Sequence, residues 1–91
     1  MNKRLRAVVI GTVQGVGYRY FAMNHAAALS IVGYVRNLLD GNVEVVAEGG
    51  HEDLEQFLSL LERGPSGALV REVVAVWLPA TGEFYDFGVR Y

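Results

Sequence analysis

Leu5-Arg6-Ala7-Val8-Val9-Ile10 runs through Gly11-Thr12-Val13 into Gln14-Gly15-Val16-Gly17, and Tyr18-Arg19-Tyr20-Phe21-Ala22 follows directly. Three patterns meet in this stretch. Leu5, Ala7 and Val9 alternate with Arg6, Val8 and Ile10, which predicts a strand buried on one face and partly on the other. Gly15 and Gly17 then break the run. From Tyr18 to Leu29 there is no Gly or Pro, and Phe21, Ala22, Ala26 and Leu29 recur at helical spacing. That stretch is an amphipathic helix.

Working outward, a second strand is expected from Ile31 to Asn37. Asp40-Gly41 is a hairpin turn signal, and Val43 to Glu48 is the returning strand, ended by Gly49-Gly50. Leu54, Phe57, Leu58 and Leu61 form the apolar stripe of a second helix. Gly64-Pro65 stops it, because Gly suits the helix C-terminus and Pro cannot continue the helix. Leu69 to Leu78 is a Val-rich strand, Pro79 to Gly82 a loop, and Phe84 to Tyr91 a short aromatic-rich last strand. The order is βαββαβ plus a short C-terminal strand. Two amphipathic helices on one face of an antiparallel sheet bury these surfaces, an α+β, ferredoxin-like α/β sandwich. That architecture hosts many functions, so function must come from a site. No repeat, linker or low-complexity segment divides residues 1–91, which are expected to form a single domain.

Composition agrees. The 91 residues are 52% hydrophobic and 20% charged, the balance of a soluble globular domain. A chain this short buries roughly 60–68% of its unfolded surface, enough for one core. The absence of cysteine excludes disulfides, thiolate zinc sites and a cysteine nucleophile. No apolar run approaches the roughly 18–20 residues of a membrane span. Met1 to Ile10 is basic and then apolar, like a secretion signal, but Gly11, Thr12 and Gln14 cut the run short; a mature, cytoplasmic protein is the expectation. The net charge of −2 hides a polarity. Residues 1–39 hold no acid but carry Lys3, Arg4, Arg6, Arg19 and Arg36, giving +5; residues 40–91 set ten acids against Arg63, Arg71 and Arg90, giving −7. Such a split either marks an anion-binding region or is mixed away by folding.

The two helix starts differ. The first turn of any α-helix leaves backbone N–H groups without intrahelical partners. The second helix sets Glu52, Asp53 and Glu55 at that positive end. The first has no capping Ser, Thr, Asp or Asn and no acid in its first turn; it has Gly15, Gly17 and Arg19. Glycines let successive N–H groups converge on an anion, the helix dipole adds to this, and Arg19 offers a planar fork to phosphate or carboxylate oxygens. The plainer alternative is a tight turn beside a solvated arginine. Asn37 ends the second strand. In a βαβ unit this end lies at the same sheet edge as the glycine loop, where an amide, both donor and acceptor, suits holding a water. Alternatively, Asn37 only bonds its own hairpin backbone.

Gly11-Thr12-Val13-Gln14-Gly15-Val16-Gly17-Tyr18-Arg19, followed by Gly33-Tyr34-Val35-Arg36-Asn37-Leu38-Leu39-Asp40-Gly41-Asn42-Val43-Glu44, closely resembles the acylphosphatase family. Glu48-Gly49, Gly64-Pro65 and Phe87-Gly88-Val89 continue the likeness. The resemblance implies an α/β sandwich with a five-stranded antiparallel sheet; nothing in the sequence demands more than a monomer. It implies hydrolysis of acyl phosphates to carboxylate and inorganic phosphate, with no cofactor and no metal. By matching positions, the backbone N–H groups of Gln14, Gly15, Val16, Gly17, Tyr18 and Arg19 would hold the phosphate with the Arg19 side chain, and Asn37 would orient the attacking water. Ser30 stands where many members have Gly, and Tyr34 where many have Trp; the first touches the geometry of the helix exit.

The remaining residues fit plainer roles. His25 lies mid-helix without an obvious partner, and His51 opens the second helix. Asp40 and Glu44 suggest a cation site, but Asp40 suits the turn and Glu44 an outward strand position. Arg4, Arg6 and Arg36 either enrich the field around the site or are solvated. Phe84, Tyr85, Phe87 and Tyr91 are expected to pack on the sheet. RNA-recognition domains share the element order, but they carry paired aromatics on the central strands, where this chain has Val8, Val9, Ile10, Val43, Val45 and Val46. Neither a nucleic-acid nor a membrane partner is therefore expected. A phosphate-loop domain that has lost activity, or that serves a larger carbamoyl-transfer system, is a third reading.

Overall fold

The computed structural model describes residues 2–91; Met1, part of the signal-like stretch, lies outside them. The elements are β1 (Asn2–Thr12), α1 (Tyr18–Ala28), β2 (Val32–Asn37), β3 (Val43–Gly50), α2 (His51–Arg63), β4 (Leu69–Pro79) and β5 (Phe87–Arg90). The sheet order is β4-β1-β3-β2-β5. Both helices cover the face to which alternate strand residues point: Leu5, Ala7 and Val9 of β1, Val35 of β2, and Val43, Val45 and Ala47 of β3 are fully buried with Ala22, Ala26, Leu54, Phe57 and Leu61. The α+β sandwich expected from the pattern is the observed fold.

One part of that expectation is corrected. β4, β1, β3 and β2 pair antiparallel, but β5 pairs with β2 in parallel, so the sheet is mixed. The cause is the path of residues 80–86. β4 ends at Pro79 opposite Lys3, at the end of the sheet where β1 starts. The connection crosses along that same end to Gly33 of β2, whose N–H donates to the Asp86 carbonyl. It does not run back along the sheet, so β5 leaves in the direction of β2.

Glu48 of β3 holds this crossing. Its carboxylate accepts the N–H groups of Thr81 and Gly82, both at 3.0 Å, and the Arg4 guanidinium at 2.7 Å. Burial by itself raises a carboxyl's pKa, but these donors reverse that and hold Glu48 at about 2. Arg4 also bonds Glu83.

Glu44 takes the outward strand position expected of it. It lies on the face away from the helices, yet it is only 4% exposed. Arg36 reaches it at 2.6 Å and Arg6 at 2.8 Å. Burial opposes its ionisation, and the two guanidinium groups outweigh that, so its pKa is lowered. The open face of the central strands is therefore a row of arginine–glutamate pairs.

Ser30 also departs from common backbone geometry. After α1 the chain turns at Ser30 with φ 56°, the only non-glycine with positive φ among the described residues. Glycine occupies such a position at least cost.

Candidate active site

Strand register brings the two predicted site segments together. Val43 of β3 pairs with Val9 of β1 on one side and with Asn37 of β2 on the other. β1 and β2 therefore run in the same direction and end at one edge, where the 13–17 loop and the β2–β3 turn adjoin. Val13 is buried and anchors the start of the loop. Gly15 and Gly17 have φ of 73° and 80°. No atom lies within 4 Å of where either would carry a Cβ, so the backbone angle, not crowding, calls for glycine.

Gly17 is the residue before α1, and no side chain caps the helix start. No acid lies in its first turn, whereas Glu52 and Asp53 fill that of α2. Tyr18 roots the helix: its ring is buried and its hydroxyl donates to the Leu61 carbonyl of α2 at 2.6 Å. Burial pushes its phenol pKa up. The first turn is thus fixed on a rigid base, with its backbone donors free of side-chain acceptors.

The loop is tied to the hairpin by Gln14, whose Nε2 donates at 2.8 Å to both the Leu38 and Asn42 carbonyl oxygens. Asp40 accepts the Asn42 N–H at 3.1 Å, the turn role expected of it. The hairpin backbone is thus held by Gln14 and Asp40, not by Asn37. The Oδ1 of Asn37 is buried and has no hydrogen-bond partner among the described residues. A buried oxygen beside the 13–17 loop with no partner among the described residues has the chemistry to hold a water. Beside it lies an open cavity of about 520 Å³ lined by Arg36, Asn37, Leu38, Leu39, Asp40 and Tyr91.

The charges of the acid-free segment sort themselves. Arg4, Arg6 and Arg36 are committed to Glu48 and Glu44 on the open face. Arg19 forms no ion pair among the described residues; its guanidinium lies over the Tyr91 ring, 5.1 Å from the centroid. Folding thus pairs Arg4, Arg6 and Arg36 with acids of the other segment and leaves Arg19 without one. The sheet face where RNA-recognition domains expose aromatics carries these ion pairs instead.

Compared with known proteins, residues 5–89 match the sequence model of the Acylphosphatase family. The chain belongs to the acylphosphatase family. An acylphosphatase of Caldivirga maquilingensis is 44% identical over 97% of this chain and 94% of its own length. One of Thermus thermophilus is 55% identical over 81% of this chain and 84% of its own. The crystal structure of the Bacillus subtilis acylphosphatase superposes with a TM-score of 0.94 at 31% identity, covering 98% of this chain and 99% of that one. With such relatives the chain is an acylphosphatase-type enzyme, a hydrolase. No helix among the described residues is long and apolar enough to cross a membrane.

For this acylphosphatase, the sequence pointed to the backbone of Gln14–Arg19, to Arg19 and to Asn37, and the fold gathers them at one edge. Three features escaped the sequence reading: the Gln14 side chain as a strut, the Tyr18 hydroxyl as an anchor, and Tyr91 beside Arg19. Tyr91 was invisible because its place depends on the direction of β5. His25 packs edge-on to Phe21 at 4.6 Å, the structural role expected of it.

Proposed function

We propose that this chain hydrolyses the carboxyl–phosphate bond of acyl phosphates, the backbone N–H groups of Gln14 to Arg19 and the Arg19 guanidinium holding the phosphoryl group and Asn37 orienting the water. The observation that carries this reading is the uncapped start of α1 beside an arginine without an acid partner. An anion supplies what both lack. The unpaired Oδ1 of Asn37 supports the water's position.

The chemistry needs little more. The leaving carboxylate has a conjugate acid of pKa about 4, so it departs without protonation. Water attacks phosphorus as the bond to the acyl oxygen breaks, and the water's proton passes to a phosphate oxygen of the substrate. In a loose transition state the protein's work is to position the reactants and stabilise charge. The backbone N–H groups of Gln14 to Arg19 meet negative charge that builds on the equatorial and leaving oxygens. Residues 1–91 act in this reading as one catalytic domain.

The test is release of inorganic phosphate from benzoyl phosphate with EDTA present. Turnover that persists supports the reading. Turnover that requires added Mg²⁺ overturns its metal-free form, and salt-dependent RNA binding without hydrolysis overturns it altogether.

A further inference from the structure

We propose that Tyr91 is a positioning residue for Arg19, its ring setting the guanidinium while leaving its charge and its N–H donors to the phosphate. The inference rests on the proposed role of Arg19. It begins with strand direction. Arg90 of β5 pairs with Arg36 of β2 in parallel register. The residue after Arg36 is Asn37 and the residue after Arg90 is Tyr91. Parallel pairing therefore brings Tyr91 out at the edge that carries Asn37 and the glycine loop. An antiparallel β5 would deliver it to the opposite edge.

The second step is the choice of contact. A long arginine side chain loses considerable rotamer freedom when it is held. Arg4, Arg6 and Arg36 are each held by a carboxylate. A carboxylate beside Arg19 would occupy the donors and oppose the incoming phosphate. An aromatic face attracts the cation through its quadrupole within about 6 Å of the centroid, and the 5.1 Å approach of Tyr91 lies inside that range. Unlike a carboxylate, a ring face takes up no bidentate pair of guanidinium donors, so these stay available. Tyr91 is 92% exposed and lines the cavity shared with Asn37. Its ring therefore stands at the mouth of the site and contributes little to the core.

The experiment compares Tyr91→Ala and Tyr91→Phe in the full chain. Inorganic phosphate binding is measured by titration calorimetry, turnover on benzoyl phosphate, and Tm by thermal unfolding. Tyr91→Ala is expected to weaken phosphate binding about two- to fivefold with Tm unchanged. Tyr91→Phe, which keeps the ring, is expected to bind phosphate like the parent. In an Arg19→Ala background, Tyr91→Ala is expected to lower the residual kcat/KM no further. Unchanged phosphate binding in Tyr91→Ala, equal losses in the Phe and Ala variants, or an undiminished loss without Arg19 each overturns the proposal. A parent chain that binds phosphate but leaves benzoyl phosphate intact overturns the proposed hydrolysis, while the phosphate titrations still decide the role of Tyr91.

Discussion

The Nε2 of Gln14 stands 2.8 Å from the carbonyl oxygen of Leu38 and donates to it, with a second bond of equal length to the Asn42 carbonyl. One side chain therefore joins the proposed phosphate loop to the turn that follows Asn37. Gln14→Ala is expected to lower stability by about 1–2 kcal/mol, the range for losing side-chain hydrogen bonds to partly buried backbone. It should also lower kcat, since loop and turn are no longer fixed to each other. Gln14→Glu should be worse in both respects, because a carboxylate cannot donate to two carbonyls and repels a phosphate. Urea unfolding and steady-state kinetics on benzoyl phosphate check both variants.

Arg19→Ala is expected to reduce turnover by about 10²–10³, the usual cost of removing one preorganised charge stabiliser. Arg19→Lys should recover little of this, because an ammonium lacks the planar fork. Phosphate binding should weaken in both. Near-parental kinetics for the lysine variant would show that charge alone suffices.

Asn37→Ala should separate function from stability. Asn37 Oδ1 bonds no other described residue, so its removal breaks no side-chain hydrogen bond to the fold. Stability should change by no more than about 1 kcal/mol, while kcat falls and inorganic phosphate affinity stays within a factor of about two. A parallel loss of kcat and phosphate affinity would place Asn37 on the phosphate instead of the water.

These sites differ in how far local sequence reveals them. The βα break at Gln14–Gly17, the Asp40-Gly41 hairpin and the two helices are specified by neighbours in the chain, and each was legible. The partners of Arg4, Arg6 and Arg36 were not. They depend on β3 lying between β1 and β2, which sets Glu48 opposite Arg4 and Glu44 opposite Arg36. The burial of the outward Glu44 under these arginines was hidden for the same reason. The direction of β5 depends on a crossing clasped by Glu48, a contact 33 residues apart from Thr81. Long-range pairing of this kind leaves no periodic trace.

Ser30 carries a local cost that the backbone makes visible. Its φ of 56° lies in the left-handed region. Non-glycine residues held there cost of order 1 kcal/mol or more. Ser30→Gly should therefore raise stability, by about 0.5–1 kcal/mol after allowing for the extra freedom glycine gives the unfolded chain. The residue is remote from the proposed phosphate loop, at the far end of α1, so kcat should not change. The urea midpoint and the kinetics of the variant test the two halves separately.

Acid should act on the fold through Glu48. Its carboxyl sits at about 2 in the folded chain against an ordinary value of 4.5, since donors from Thr81, Gly82 and Arg4 outweigh its burial. Below 4.5 the unfolded chain binds a proton that the folded chain refuses, so stability rises with pH in that window. The contribution is complete above about pH 5 and drains away as pH falls from there toward 2. Its size is on the order of 3 kcal/mol. The lowered pKa of Glu44 acts in the same sense. Glu48→Gln should be less stable than the parent at pH 7, and its stability should fall less steeply between pH 5 and pH 2. Urea unfolding across that range measures both slopes; parallel slopes would remove Glu48 as the source of the acid sensitivity.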